Sequence, residues 1–110
     1  MEDSDQERRI QMRTPTKFYA SLSWKDGYAT LEAIDLGSGG IRVKLPNGSG
    51  PLLSQEVEVE FEIPDKDSSV MTKGVVVHRE ENVLGISFDP LPDDLCAEIS
   101  QFVDENGWLF

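Results

Sequence analysis

Short runs in which apolar and polar residues alternate constrain the fold of this chain more than any other feature. In the first run, Phe18, Ala20, Leu22 and Trp24 fall on one side of the chain and polar residues on the other. Period two is typical of a β-strand with one buried face. The turn-forming pair Asp26-Gly27 follows, and glycine-, proline- or asparagine-containing segments separate the later runs. The pattern predicts six strands, at 16–24, about 28–36, 41–45, 57–63, 70–79 and 83–88.

A single amphipathic helix is predicted after the last strand. Pro90 and Pro92 end the sheet pattern, and the apolar positions then become Leu95, Ile99, Phe102 and Val103. Two aspartates at 93 and 94 complement the positive end of the helix dipole. Short strands with many turns favour a β-barrel or a β-sandwich, and the helix is expected either to close an open end or to lie across an edge.

The composition excludes several classes of protein. With 110 residues the chain fits one domain, and it contains no run of the ~20 apolar residues that a membrane span needs. Residues 1–7 are acidic, unlike a signal peptide, so a cytoplasmic location without membrane insertion is expected. The net charge of −11 disfavours DNA or RNA as a partner. Cys96 is the only cysteine, so no intrachain disulfide and no cysteine metal site are expected.

The domain organisation follows from these patterns. Residues 1–7 are expected to be disordered and residues 8–103 to form the folded domain. Residues 104–110 form a tail containing Trp108 and Phe110, which either docks back on the domain or contacts a partner.

A cluster of arginines stands out against the acidic background. Arg8, Arg9 and Arg13 lie within six positions, and Arg9 and Arg13 form an RxxxR pattern. The guanidinium fork pairs with phosphate or with the O6 and N7 atoms of guanine. Alone, the pattern occurs often by chance, and composition by itself favours a solvated arginine segment.

A second candidate element is the glycine-rich segment from Asp35 to Gly40, predicted to be a flexible turn over 37–40. The Asp35 carboxylate can accept hydrogen bonds from N1 and N2 of guanine, and glycines let a ligand approach the backbone. A plain β-turn or bulge accounts for the same residues.

The two elements in this order, separated by a hairpin, resemble a known family. Residues 8–103, and above all the segment IDLGSGGIRVKL, are similar to the PilZ domain, a bacterial receptor module for cyclic di-GMP. The resemblance implies a mainly all-β fold: a six-stranded antiparallel barrel with a C-terminal helix. It also implies that Arg9 and Arg13 hold guanine and phosphate groups and that Asp35 and Gly40 carry the second motif. A basic residue at the position of Arg8 accompanies an intercalated pair of ligand molecules in this family.

Two positions depart from the family pattern. Gly37 stands where the family has serine, and the neighbouring Ser38 is expected to point elsewhere. His78 stands where many members have an aromatic residue, and its ring is a candidate for stacking on a base. A partly exposed strand histidine without a role is the alternative.

The resulting hypothesis is a receptor without catalytic activity. One histidine, and no serine or cysteine in a nucleophile context, argue against an enzyme. The chain is expected to bind cyclic di-GMP, to need no cofactor and no metal, and to act as an adaptor on an unknown effector protein by ordering its arginine segment. The alternatives are a PilZ-like interaction module that binds no cyclic di-GMP and, more distantly, an oligonucleotide-binding barrel.

Overall fold

The structure is a computed structural model, and it describes residues 18–46, 50–64, 66 and 68–106. The arginine segment at 8–15, the acidic residues at 1–7 and the aromatic residues at 107–110 lie outside the described residues, so their predictions stay predictions. In chain order the elements are β1 (Tyr19–Trp24), β2 (Gly27–Gly37), β3 (Gly40–Lys44), β4 (Glu56–Glu62), β5 (Ser69–Glu80), β6 (Val83–Phe88) and the helix α1 (Asp93–Asn106).

The six predicted strands and the helix are all confirmed, with shifts at their ends. The predicted turn at 37–40 is shorter in the structure, because Gly37 and Gly40 pair with each other and only Ser38 and Gly39 form the loop. The helix continues past the predicted last residue, Val103, to Asn106.

All neighbouring strands are antiparallel and close into a barrel in the order β1-β2-β3-β6-β5-β4. The structure therefore selects the barrel over the sandwich. The buried side chains of the strands are all apolar, and no polar or charged residue in the described part of the chain is buried. Burial of this apolar surface is the main term that favours the folded barrel.

The helix closes one end of the barrel. Ile99 and Phe102 are almost fully buried in the same core as the strand residues. The ring of Phe18, just before β1, lies 5.9 Å from that of Phe102 and 5.7 Å from that of Phe61. These aromatic contacts tie the first described residue to the helix and to β4. In the described part of the chain no helix is long and apolar enough to cross a membrane.

The hairpin predicted at Asp26-Gly27 is present, but Gly27 lies in β2 and not in the loop. Its loop is Lys25-Asp26, and Gly27 is already paired with Trp24. A Cβ atom at position 27 would lie 2.8 Å from the Trp24 indole. The glycine is therefore needed for packing under the indole ring.

Candidate functional site

The strand register places an aspartate, an arginine, a glycine and a histidine in one row across the outside of the barrel. Asp35 on β2 pairs with Arg42 on β3, Arg42 pairs with Gly85 on β6, and Gly85 pairs with His78 on β5. The residues come from four strands and span 51 sequence positions, from 35 to 85. We call the outer surface around this row the site face.

Two β-bulges turn the ends of the row outward. The ladder between β2 and β3 shifts register between Ala33 and Asp35, and the ladder between β5 and β6 shifts between Val76 and His78. Ala33 and Val76 are buried, and in a regular strand the second residue after a buried one points into the core too. Asp35 and His78 are these second residues, so strict alternation would direct both into the core. The extra residue at each bulge reverses that direction.

Asp35 and Arg42 form an ion pair on this face. The Nη2 atom of Arg42 donates to Oδ2 of Asp35 at 2.5 Å. The Arg42 side chain is 43% exposed and that of Asp35 22%. Such a partly solvated pair contributes only about 0–1 kcal/mol to stability. Both groups are therefore accessible to a ligand at little cost to the fold.

Gly85 forms the floor between Arg42 and His78. A Cβ atom at position 85 would lie 3.0 Å from Cβ of His78, which is a tight contact, and 3.7 Å from Cγ of Arg42, which is an ordinary one. The His78 imidazole is partly exposed, and its Nε2 lies 3.4 Å from a carboxylate oxygen of Glu80. A planar guanidinium and a planar imidazole thus flank a position without a side chain, an arrangement suited to a flat ring system.

The second predicted motif adjoins this row. Gly37 and Gly40 pair with each other two residues further along the hairpin, and Gly40 pairs with Ser87 on β6. Ser38 is exposed at the loop tip. The carbonyl of Gly39 accepts a hydrogen bond from the amide of Phe88 at 2.9 Å, which fixes the loop against β6. The structure therefore brings Asp35, Gly37, Gly40 and His78 to one face, with Ser38 at its rim.

The three predicted arginines, Arg8, Arg9 and Arg13, lie outside the described residues. The chain that leads from them joins the barrel next to the row, because the amide of Ala33 donates to the carbonyl of Phe18 at 3.0 Å. Ala33 is two residues from Asp35, and Arg13 is five from Phe18. Five residues span at most about 18 Å.

Arg42 and Gly85 were not among the residues predicted for the site. A usable indication existed for Arg42, because it lies between the apolar Ile41 and Val43 and the hairpin register places it opposite Asp35. Gly85 gave no comparable indication, since its neighbours in the row are known only once β6 is placed between β3 and β5.

A different surface covers the other side of the barrel. On β4, four glutamates point outward in regular alternation with buried residues: Glu56, Glu58, Glu60 and Glu62. We call this surface, with the paired outward residues of β1 and of the first half of β5, the glutamate face. Among the described residues, no group of three histidine, cysteine, aspartate or glutamate side chains is arranged to hold a metal ion.

Comparison with known proteins supplies an independent result. The family model described as PilZ domain matches residues 6–105. Among solved structures, the Bacillus subtilis inhibitor of motility (MotI/DgrA) superimposes with a TM-score of 0.67 at 13% sequence identity, over 81% of this chain and 46% of that one. At this identity the likeness concerns the fold, and the chain spans about half of that protein. No curated protein matches the sequence.

Proposed function

The chain belongs to the PilZ domain family, and from that premise we propose that it is a cyclic di-GMP receptor that passes the level of this second messenger to a partner protein. In this proposal Asp35 accepts hydrogen bonds from a guanine base, and Arg9 and Arg13 bind phosphate and guanine groups. Gly37 and Gly40 let the ligand approach the backbone, and His78 lies against a base.

The observation that carries the proposal is the hydrogen bond between the Ala33 amide and the Phe18 carbonyl. It holds Phe18, five residues after Arg13, beside β2 and two residues from Asp35. With a reach of about 18 Å, Arg13 can meet a ligand whose base is bound at Asp35. The two motifs, 22 positions apart from Arg13 to Asp35, thereby act on one ligand.

Signal transmission requires that the ligand favour one conformation of the receptor over another. We propose that binding orders residues 8–15 over the site face and that the partner protein distinguishes this ordered surface from the unliganded one. By linkage, a partner that prefers the liganded surface also tightens ligand binding by the same factor.

A second candidate function is favoured by one residue. Gly37 lacks the hydroxyl that the family places there, and a PilZ domain that contacts only proteins has no need of it. This candidate predicts that the chain binds a partner equally well with and without cyclic di-GMP.

Isothermal titration of the protein with cyclic di-GMP, with GTP as the control ligand, tests the proposal. We expect saturable binding of cyclic di-GMP only, and its loss in Arg9→Ala and in Arg13→Ala. Lys73→Ala removes a cation that lies opposite Glu58 in the β4–β5 ladder on the glutamate face, so its affinity should match that of the wild type. A stoichiometry of two ligands, reduced to one in Arg8→Ala, would indicate an intercalated pair. Absence of both heat and thermal stabilisation at high ligand concentration would favour the second candidate.

A further inference from the structure

The Asp35–Arg42 ion pair presents hydrogen-bonding groups of two kinds side by side. One guanidinium nitrogen of Arg42 donates to Oδ2 of Asp35 at 2.5 Å. Within the described part of the chain, Arg42 is the only side-chain partner of that carboxylate. A guanidinium has five N–H donors and a carboxylate accepts at both oxygens, so donors and acceptors remain on the solvent side of the pair.

This order of groups matches guanine and opposes adenine. Along its base-pairing edge guanine offers the O6 acceptor and then the N1 and N2 donors. A guanidinium N–H beside carboxylate oxygens is complementary to all three. Adenine offers the N6 donor where guanine has O6, and an acceptor at N1, so its edge would set donor against donor and acceptor against acceptor.

We infer that Arg42 is a specificity-determining residue, which donates to O6 of a guanine base while Asp35 accepts from N1 and N2. The inference rests on the proposed function and extends it from the ligand class to the choice between cyclic di-GMP and cyclic di-AMP. Both ligands carry the same two phosphates and the same sugar ring, so the phosphate contacts of Arg9 and Arg13 do not separate them.

Guanidinium geometry is essential to this role. One face of the fork must stay on Asp35 while another N–H reaches the base, which a planar group with several fixed donors allows. A lysine ammonium at position 42 would keep the charge and lose the fixed fork. Arg42→Lys is therefore expected to give an intermediate specificity.

The chain offers a matched control two residues further along β3. Lys44 points outward from the same strand, and its Nζ lies 3.4 Å from Oε1 of Glu32 on β2. Like Arg42, it is a cation paired across the β2–β3 ladder. It pairs with Val83 on β6, so it lies outside the row of Asp35, Gly85 and His78.

The experiment compares the wild type, Arg42→Met, Arg42→Lys and Lys44→Met by titration with cyclic di-GMP and with cyclic di-AMP. The quantity measured is the ratio of the two affinities. We expect the wild type to prefer cyclic di-GMP and Arg42→Met to lose about tenfold to a hundredfold of that preference, through weaker cyclic di-GMP binding. Lys44→Met should keep the wild-type ratio. Thermal unfolding of each variant checks that the barrel is intact, which the 43% exposure of Arg42 favours.

The outcomes separate this inference from the proposed function. If the wild type binds cyclic di-GMP selectively and Arg42→Met has the same ratio of affinities, the inference is overturned and the proposed receptor function is unaffected. Tighter cyclic di-GMP binding in Arg42→Met would also overturn it, because Arg42 would then compete with the base for Asp35. If the wild type bound neither dinucleotide, the proposed function and the inference would fall together.

Discussion

The site face and the glutamate face are built from the same barrel by different means. Around the glutamate face the ladders of β1 with β2, β1 with β4, and β4 with β5 run without a register shift. Around the site face the ladders of β2 with β3 and β5 with β6 each contain one bulge. Regular alternation spaces like charges evenly along a strand. A bulge turns a chosen side chain toward neighbours on other strands, and the two bulges here bring a carboxylate, a guanidinium and an imidazole into one row.

The largest effect on ligand affinity is expected when a carboxylate of the site face is replaced by alanine. The same replacement on the glutamate face is the control. Asp35→Ala removes the acceptor for two guanine N–H groups, and hydrogen bonds to charged groups are worth about 1.5–3 kcal/mol each, so cyclic di-GMP affinity should fall by at least roughly a hundredfold. Glu60→Ala, on the glutamate face opposite Ser21 and Met71, should leave it unchanged. Titration calorimetry measures both. Equal losses in the two variants would show that the row does not govern binding.

A stability comparison tests the ladder that carries the second bulge. At Gly74 a Cβ atom would lie 2.5 Å from the carbonyl oxygen of Ser87 and 2.9 Å from Cγ2 of Ile86. Gly74→Ala should therefore lower the free energy of unfolding by about 1–3 kcal/mol. Gly39→Ala, where no atom lies within 4 Å, should change it by less than about 0.5 kcal/mol. Urea unfolding of both variants provides the values, and a harmless Gly74→Ala would mean that β5 and β6 separate more easily than the contacts indicate.

Restoring the hydroxyl that the family has at position 37 should strengthen ligand binding at the site face. Gly37→Ser adds one hydrogen-bonding group next to Asp35 in β2, and a typical hydrogen bond contributes about 0.5–1.5 kcal/mol. Cyclic di-GMP should bind about twofold to tenfold more tightly. Gly39→Ser places the same hydroxyl at the open tip of the loop and should have no effect. No gain in Gly37→Ser would show that position 37 does not correspond to the family serine.

The smallest expected effect is a change in the pKa of Tyr28, at the edge of the glutamate face. The hydroxyls of Ser21 and Thr30 lower the pKa of the Tyr28 phenol below its ordinary value of 10.0, with the charge of Glu60 acting in the opposite direction. The Tyr28 hydroxyl lies 3.4 Å from Oγ of Ser21. Ser21→Ala should raise the pKa of Tyr28, and alkaline titration followed by tyrosine absorbance measures the shift. Ser23→Ala is the control.

The sign of the accompanying stability change follows from linkage. A phenol whose pKa is lowered in the folded state releases its proton there before it does in the unfolded chain. The folded state therefore gains stability as the pH rises from the lowered pKa of Tyr28 toward 10.0. That gain should shrink in Ser21→Ala.

The local spacing of apolar residues was sufficient to predict every strand and the helix. Spacing by two indicates a strand with one buried face, and spacing by three and four indicates a helix with one buried face. The positions of the two bulges were not predicted. In β2 the core positions change from odd numbers, ending at Ala33, to even ones at Leu36, which is the trace of an extra residue. In β5 the run Val75-Val76-Val77 hides the same change, since all three residues are apolar.

The candidate site was predictable only in part for a related reason. Asp35 and the glycines follow from a local motif, whereas the row that joins Arg42 to His78 depends on β6 lying between β3 and β5. Gly85 follows Arg42 by 43 positions, and no local pattern encodes a pairing at that distance.

The bulges also bear on how such a site changes over evolutionary time. Each bulge leaves two consecutive residues outside the core, Ile34 with Asp35 and Val77 with His78, and most point substitutions leave this backbone geometry unchanged. A single-codon deletion at Ile34 would restore plain alternation from Ala33 to Leu36, with Asp35 still outward and Leu36 still in the core. Descendants of this chain can therefore exchange the chemistry of the row one residue at a time, and can lose a bulge without turning Asp35 inward.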